Sequence, residues 1–389
     1  MQFDSAKRVK NLPDNYFENL YKKAASQKTN QPIISLANGS PDLPTPKNII
    51  KKLKIAADDK ENYGYSPFSG KRNLRLAISN FYKREYGVDI NPEREVAIFC
   101  GSNIGIYALP RVILNPGDYG ILPDPYYPEY PPAIHLAGGK IYYAPLAEQN
   151  NFLPKISKIP NDIANKAKLI FLNYPNNPTG AIAPKNFFSK AVNFGKKHHL
   201  VVINDFAYAS VYFKQKPLSL LQIDKKKEVS VELYTFSKTY SMAGWRLGFA
   251  VGNASIIQDL KKYHSHVYST VFGAVQDAGV EALTGSQTGA NKIRATYKKR
   301  RNFLISGLKK LQWAFKAPQG SFFVWVKVPK GFKGEGFAHY LFQKTQILVA
   351  PGDGFGKLGK NYIRLSLVTN IKILNKALKR LEALKEVSL

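Results

Sequence analysis

Seven short apolar segments between residues 95 and 251 constrain the fold of this 389-residue chain more than any other feature. They lie at residues 96–100, 120–123, 140–145, 167–173, 200–204, 231–235 and 247–251. Several are continuous apolar runs without polar alternation, which is typical of strands covered on both faces. The stretches between them, such as residues 184–198, have the pattern of helices that connect parallel strands. The pattern therefore predicts a mainly parallel, seven-stranded sheet of the α/β class.

The sequence patterns at the two ends of the chain differ from the pattern of this central part. Residues 16–26 are predicted to form a helix, and the prolines of residues 41–46 hold the following path extended. After about residue 292 we expect a basic helix, a strand at 320–328 and a closing helix at 374–384. We therefore predict a three-layer α/β/α large domain at residues 46–288. A smaller α+β domain is expected at residues 289–389, together with part of an N-terminal arm at residues 1–45.

The charge of the chain is strongly unbalanced, with 57 Lys plus Arg against 27 Asp plus Glu and a formal net charge of +30. Such an excess raises the possibility of a nucleic-acid partner. The lysines are scattered in twos and threes, however, and no arginine-rich tail or basic stripe with interleaved aromatics occurs. We therefore predict a solvated basic surface and no nucleic-acid partner, although the charge favours anionic ligands by long-range steering.

Composition and motif searches exclude several other classes of protein. No segment approaches the roughly 18 apolar residues of a membrane span, and the N-terminal sequence has no apolar core of a signal peptide. The single cysteine, Cys100, cannot form an internal disulfide, so we expect a soluble cytoplasmic protein. The six histidines lack metal-ligand spacing, so no metal is predicted. Neither a Walker loop nor a serine-hydrolase elbow is present.

The most specific chemical motif is the segment at residues 235–248, which surrounds Lys238. A lysine that directly follows a buried strand can lose its water and remain available as an amine, which can form a Schiff base with an aldehyde cofactor. Thr235, Ser237 and Arg246 of the same segment are candidates to bind a phosphate. A lysine that merely ends a strand is the plain alternative, and the length of the pattern argues against it.

Further candidate residues also follow predicted strands. Asp205 follows the run at 200–204 and is a possible partner for a pyridinium nitrogen, and the alternative is an N-cap aspartate, which is common. Asn177 lies in an Asn/Pro/Gly stretch that is either a turn or a cofactor contact. Ser102 and Asn103 open a helix whose N-terminal amides can bind phosphate. Tyr127 can stack on an aromatic ring or pack within its own loop.

These motifs together resemble the class I/II pyridoxal-phosphate aminotransferases of fold type I. The resemblance runs in the family's order over nearly the whole chain. Its motifs start at Asn38 (N-G-x-P-D), Tyr65 (Y-x-P-x-x-G), Ser102, Asp124 (D-P-x-Y-P), Asn176 (N-N-P-T-G), Asp205 (D-x-A-Y), Ser237 (S-K-x-x-x-M-x-G-x-R-x-G), Pro351 (P-G-x-x-F-G) and Ile363 (I-R-L-S).

The resemblance implies a role for each candidate residue. Lys238 would carry pyridoxal 5'-phosphate and shuttle a proton, and Asp205 would pair with the ring nitrogen. Further cofactor contacts are implied for Asn177 and Tyr208 (ring oxygen), Tyr127 (ring face), and Ser102, Asn103, Thr235, Ser237 and Arg246 (phosphate). Arg364 would bind the substrate carboxylate with help from the Gly39 backbone and Asn177. Tyr65 would reach the phosphate of the other subunit, which implies a homodimer with shared active sites.

The leading functional hypothesis is a ping-pong aminotransferase that passes an amino group from an L-amino acid to a 2-oxo acid such as 2-oxoglutarate. One alternative is a carbon–sulfur β-lyase on the same fold, which would release pyruvate and ammonia without an acceptor. A second alternative is the effector domain of a transcription regulator. We expect the second to be wrong because fewer than forty residues precede Gly39, too few for a winged helix.

Overall fold

The computed structural model describes residues 1, 3–27 and 30–384 of the chain. Its strands are β1 (Ile34–Ser35), β2 (Val96–Phe99), β3 (Tyr119–Asp124), β4 (Lys140–Pro145), β5 (Ala167–Leu172), β6 (Val201–Asp205), β7 (Ser230–Thr235), β8 (Gly248–Gly252), β9 (Phe323–Lys327), β10 (Ile347–Leu348), β11 (Ala350–Pro351) and β12 (Tyr362–Ser366). Its α-helices are α1 (Lys7–Lys10), α2 (Tyr16–Ala25), α3 (Lys47–Ala57), α4 (Arg72–Tyr86), α5 (Ser102–Ile113), α6 (Tyr130–Leu136), α7 (Asn161–Lys166), α8 (Lys185–His198), α9 (Phe236–Thr239), α10 (Ala254–Val267), α11 (Gly273–Thr284), α12 (Thr288–Lys310), α13 (Gly334–Thr345) and α14 (Ile371–Glu382).

The central sheet has seven strands in the order β2-β8-β7-β6-β5-β3-β4. Strand β8 runs antiparallel to both of its neighbours, and all other pairs are parallel. Each of the seven apolar segments found in the sequence forms one of these strands. Neighbouring residues of one strand, such as Leu169 and Ile170 of β5, belong to different hydrophobic clusters. The sheet is therefore covered on both faces, which confirms the predicted α/β class.

Two smaller sheets lie outside the central part of the chain. Strands β11, β12 and β9 form an antiparallel sheet, and β1 pairs with β10 in parallel. The pairing of β1 with β10 supports the idea that N-terminal residues join the C-terminal part. The boundaries after residues 45 and 288 stay a prediction, since α12 begins at residue 288 itself. Residues 2, 28–29 and 385–389 of the predicted segments lie outside the described residues.

Three predicted elements have bounds in the structure that differ by more than one residue. The closing helix expected at 374–384 forms at Ile371–Glu382. The basic helix begins at Thr288, before the expected residue 292, and the strand expected at 320–328 is confined to β9. Ser321 has a left-handed φ of 58°, so extended geometry cannot continue through it. Within the described ranges, no helix has the length and apolarity needed to cross a bilayer.

Gly248 allows close backbone packing at the end of the sheet where the predicted site residues lie. It pairs with Phe99 of β2 on one side and with Thr235 of β7 on the other. A Cβ atom at this position would lie 2.9 Å from the carbonyl carbon of Gly101 and 2.9 Å from the carbonyl oxygen of Tyr234. Only glycine therefore lets the loop before α5 approach the carboxyl end of β7 so closely.

Candidate active site

The predicted site residues, with the exception of Tyr65, line one cavity of about 350 Å³. The cavity lies beyond the carboxyl ends of β5, β6 and β7, where ligands bind in open α/β sheets. The predicted residues that line it are Gly39, Ser102, Asn103, Tyr127, Asn177, Asp205, Tyr208, Thr235, Ser237, Lys238, Arg246 and Arg364. Residues far apart in the sequence thus form a single site.

Lys238 lies in the short helix α9, directly after β7. Its Nζ donates a hydrogen bond to the carbonyl oxygen of Gly39 at 2.9 Å and lies 5.6 Å from the ring centroid of Phe322. Burial lowers the pKa of Lys238 to about 8, with help from the charges of Arg364 and Arg246. At pH 7 roughly one molecule in ten therefore has a neutral amine at this position, far more than for an exposed lysine.

Asp205 ends β6 and is 4% exposed. Its Oδ2 accepts a hydrogen bond from the Tyr130 hydroxyl at 2.8 Å, while Oδ1 is buried without a partner. Burial raises the pKa of Asp205 to about 6, although the Tyr130 hydroxyl, the backbone N–H of Ala207 and the charge of Lys238 act in the opposite direction. A buried carboxylate oxygen without a partner is costly, so this position suits a cationic ligand.

Arg364 of β12 is 1% exposed and has no acidic partner within 4 Å among the described residues. Its guanidinium donates to Oδ1 of Asn177 at 2.9 Å and to the carbonyl oxygen of Ala37 at 3.0 Å. Its Cζ lies 3.8 Å from the ring centroid of Phe323, and its Nε has no partner. Burial lowers the pKa of Arg364 to about 10. A buried guanidinium without a counter-charge is suited to hold a carboxylate.

The loop before α5 and the residues after β7 form a cradle for an anion. Gly101 has a left-handed φ of 87°, and a Cβ atom there would lie 2.9 Å from Cζ of Arg246. Ser102 and Asn103 form the first turn of α5, whose amides are not bonded within the helix. Across the cradle, Thr235 donates from its hydroxyl to Oγ of Ser237 at 2.9 Å. Hydroxyls, amides and a guanidinium therefore converge where the sequence predicted a phosphate.

Two tyrosines, Tyr127 and Tyr208, also line the cavity. Tyr127 is half-buried and packs edge-on against Tyr130, with ring centroids 5.6 Å apart. Tyr208 is buried and packs edge-on against Phe322 at 5.2 Å. Burial raises the pKa of both hydroxyls, so each stays protonated near neutral pH.

Tyr65 is placed apart from the other predicted site residues. Its side chain is 92% exposed and does not line the cavity. Tyr63, Phe68 and Phe272 are also exposed large hydrophobic residues. The assignment of Tyr65 to the site of a second subunit stays a prediction.

Several lining or supporting residues were missed by the sequence reasoning. Tyr130 holds Asp205, and Asn173 donates from Nδ2 to the carbonyl oxygen of Asp205 at 2.7 Å. Phe17 and Tyr21 of α2 line the cavity from a helix far from the motifs. The spacing of Tyr130, three residues after Tyr127, was an available signal, whereas nothing in the sequence around α2 indicated a role in the site.

We predict that Asp205→Asn stabilises the protein when it is prepared without cofactor at pH 7. The rise in the pKa of Asp205 from 3.8 to about 6 corresponds to about 3 kcal/mol. Because the folded-state pKa is raised, stability that is present below about pH 4 is lost as the pH rises through about 6. The difference in stability between Asp205→Asn and the unchanged protein should therefore increase between pH 4 and pH 6 and then stay constant, as measured by thermal unfolding.

The matched control is Asp259→Asn, on the exposed face of α10, which should not change stability with this pH profile. An advantage of Asp205→Asn that is the same at pH 4.5 and pH 7.5 would contradict the role given to burial.

Comparison with known proteins identifies the family of this chain. The family model "Aminotransferase class I and II" matches residues 31–381. The chain is 43% identical to L-glutamine--4-(methylsulfanyl)-2-oxobutanoate aminotransferase of Bacillus subtilis, over 98% of this chain and 96% of that protein. It is 40% identical to LL-diaminopimelate aminotransferase of Halothermothrix orenii, over 97% and 98% respectively. The substrate-bound structure of BacF from Bacillus subtilis superposes with a TM-score of 0.95, at 41% identity and 98% coverage of both chains. The chain therefore belongs to the aminotransferases of class I and II and is a pyridoxal-phosphate-dependent aminotransferase.

Proposed function

We propose that Lys238 carries pyridoxal phosphate and that the protein transfers the amino group of an L-amino acid to a 2-oxo acid at this site. The observation that carries the proposal is the cavity in which the desolvated amine of Lys238 lies with two incompletely paired groups, Asp205 and Arg364. Such a set of shifted pKa values in one cleft is typical of a catalytic site. The comparisons favour transamination over the β-lyase alternative because the relatives are aminotransferases.

The residues of the cavity fit pyridoxal phosphate. Oδ1 of Asp205 lacks a partner, as expected for a carboxylate that receives a protonated ring nitrogen. The cradle at Gly101, closed to a Cβ atom by Arg246, has the donors that a phosphate needs. Asn177 and Tyr208 would hold the ring oxygen, and Tyr127 would cover the ring face. When bound, pyridoxal phosphate supplies an aldehyde that condenses with amines and a protonated ring that accepts the electrons of a deprotonated Cα.

Lys238 would move the proton between the substrate Cα and the cofactor. A base acts best when its pKa lies near the working pH, and a pKa of about 8 meets that condition better than the ordinary 10.5. The carbonyl oxygen of Gly39, 2.9 Å from Nζ, accepts a hydrogen bond that holds the amine in the cavity.

Arg364 would orient the substrate by its α-carboxylate. Two of its nitrogens are already held by Asn177 and Ala37, so the guanidinium is fixed before the substrate arrives. A fixed guanidinium sets the direction of the Cα–H bond relative to Lys238, and this positioning lowers the barrier to proton transfer. Asn177 would serve both the cofactor and the substrate, since its Oδ1 supports Arg364.

A homodimer with shared active sites and a cytoplasmic location complete the proposal. The exposed Tyr65, together with the exposed rings of Tyr63 and Phe68, supports a second subunit at this surface, since large exposed apolar patches mark interaction sites. The lone cysteine supports the cytoplasm, where thiols stay reduced.

The function is tested by adding a panel of L-amino acids to protein loaded with pyridoxal phosphate. We expect the visible absorbance of the cofactor to shift, one equivalent of 2-oxo acid to form, and the shift to reverse with a 2-oxo acid. Lys238→Ala should slow this exchange by about 10²-fold or more, because a positioned base is lost. Lys298→Ala, on the exposed side of α12, is the control. Release of pyruvate and ammonia without an acceptor would instead establish the lyase.

The sharing of active sites is tested with hybrid dimers of Lys238→Ala and Tyr65→Ala, each inactive or impaired alone. If Tyr65 serves the partner's site, a hybrid contains one site with both native residues. Mixing the two variants after subunit exchange should then restore about half of the wild-type activity per hybrid. If Tyr65 acts within its own subunit, no site in the hybrid is intact, and mixing restores nothing.

A further inference from the structure

The segment at residues 36–45, which links β1 to α3, carries two of the backbone oxygens that hold the cations of the cavity. The carbonyl oxygen of Gly39 accepts the hydrogen bond from Nζ of Lys238 at 2.9 Å. The carbonyl oxygen of Ala37 accepts one from the Arg364 guanidinium at 3.0 Å. The position of this segment therefore affects where both side chains can lie.

Hydrogen bonds hold the two ends of the segment. The N–H of Ser366 in β12 donates to the carbonyl oxygen of Leu36 at 2.8 Å. At the other end, the hydroxyl of Thr45 donates to the carbonyl oxygen of Ser241 at 2.7 Å. Gly39 lies between these two anchors, so its position also depends on what holds the middle of the segment.

An ion pair outside the cavity holds that middle part. Arg300 of α12 donates from its guanidinium to Oδ1 of Asp42 at 2.7 Å and to the carbonyl oxygen of Leu367 at 3.1 Å. The side chain of Arg300 is 5% exposed and that of Asp42 is 30% exposed. Asp42 follows Gly39 by three residues, and Pro41 restricts the backbone between them. A charge-assisted hydrogen bond from a buried guanidinium is strong, so it fixes this stretch of chain.

The ion pair is also connected to Lys238 through packed aromatic rings. Cζ of Arg300 lies 5.4 Å from the ring centroid of Tyr297, which is fully buried and packs on Phe322 with centroids 5.2 Å apart. The Phe322 ring centroid is 5.6 Å from Nζ of Lys238. Two routes therefore link the ion pair to the amine, one through the Gly39 carbonyl and one through these rings.

We propose that Asp42 and Arg300 are positioning residues for Lys238, because their ion pair holds the Gly39 carbonyl oxygen against its amine. The inference rests on the proposed function, in which this amine moves the proton. An oxygen that accepts a hydrogen bond from an amine stabilises the protonated form, since the ammonium is the stronger donor. Loss of the ion pair should free the segment, weaken this contact and make Lys238 a weaker base.

The basicity of Lys238 is measured first, in the full chain without cofactor or substrate. The protein is labelled with trace acetic anhydride over a range of pH, and peptide mass spectrometry gives the acetylation of Lys238. The midpoint of this profile reports the pKa, which should be about 8 in the unchanged protein. In Arg300→Met we expect the midpoint to fall, so that acetylation at pH 7 rises about threefold.

Other effects of Arg300→Met act in the opposite direction. Loss of a nearby positive charge by itself raises the pKa of a lysine, and so does entry of water into a loosened cavity. A midpoint in Arg300→Met that is unchanged or higher would therefore overturn the inference. Asp42→Ala changes the net charge the other way and should also lower the midpoint. A fall in Asp42→Ala alone would be an effect of charge and would count against the ion pair as a positioning device.

A variant that fails to fold does not prevent the test. If Arg300→Met is unfolded, Asp42→Ala is compared with Asp42→Asn, which removes the same charge but keeps an oxygen that can accept from Arg300. Asp42→Ala should then have the lower midpoint, and equal midpoints would contradict the inference.

The matched control is Glu95→Ala, at the start of β2. Glu95 pairs with Lys227 at 3.4 Å, and the two side chains are 16% and 12% exposed. Neither residue lines the cavity, so this variant removes a partly buried carboxylate from an ion pair elsewhere. The midpoint for Lys238 should stay as in the unchanged protein, and a fall equal to that in Asp42→Ala would overturn the assignment.

Turnover by the loaded enzyme gives the second test. In Arg300→Met we expect kcat to fall about tenfold with a smaller change in KM, because a weaker base slows proton transfer more than it weakens binding. The pH at which kcat reaches half of its maximum should move down with the labelling midpoint. A change confined to KM would contradict a role in positioning the base.

The outcomes separate this inference from the proposed function. If no amino acid converts the cofactor, the proposed function fails, while the labelling profile still decides whether the ion pair sets the basicity of Lys238. If conversion occurs and Arg300→Met has both the normal rate and the normal midpoint, the positioning role alone is wrong.

Discussion

Removal of water from charged side chains at the carboxyl end of the sheet is the constraint on which the site depends. Lys238, Asp205 and Arg364 are brought into one cavity, where Oδ1 of Asp205 and Nε of Arg364 have no hydrogen-bond partner. The pKa of each group is shifted in the direction that favours its uncharged form, and burial is the largest cause in all three. Hydrophobic clusters on both faces of the sheet supply the stability that offsets this unfavourable burial. The unpaired groups are what a charged cofactor and substrate can complete.

A second buried carboxylate shows how different a structural acid is from Asp205. Glu232 of β7 is fully buried, and burial raises its pKa to about 7. Its carboxylate accepts hydrogen bonds from the Ser219 hydroxyl, the Asn204 amide and the backbone N–H of Leu220, with the Tyr82 hydroxyl at 3.2 Å. Asp205, on the neighbouring strand, has an oxygen with no partner. Both acids are buried, so the missing partner, and not burial alone, distinguishes the one that faces a ligand.

The sequence predicted the parts of the structure that depend on local patterns. Short apolar runs, several of them continuous, identified all seven strands, and the residues after those strands supplied nearly every predicted member of the cavity. What the sequence could not predict are contacts between distant segments with no motif of their own. The positions of Phe17 and Tyr21 at the cavity depend on how α2 packs against the rest of the chain. The hydrogen bond from Tyr130 to Asp205 depends on how α6 packs on the sheet, where the Tyr130 ring stacks on Phe171 of β5. The early start of α12 is a boundary effect, since its first residues carry no strong cap or stop signal.

The central claim is that Lys238, among the many lysines of this chain, is the one that carries the cofactor. Reduction of the loaded protein with sodium borohydride converts an imine between lysine and cofactor into a stable secondary amine. Peptide mass spectrometry then locates the added mass of the reduced cofactor. The account predicts one modified site per chain, at Lys238. Modification of a different lysine, or a mixture of lysines that persists in the Lys238→Ala variant at the same stoichiometry, would contradict it.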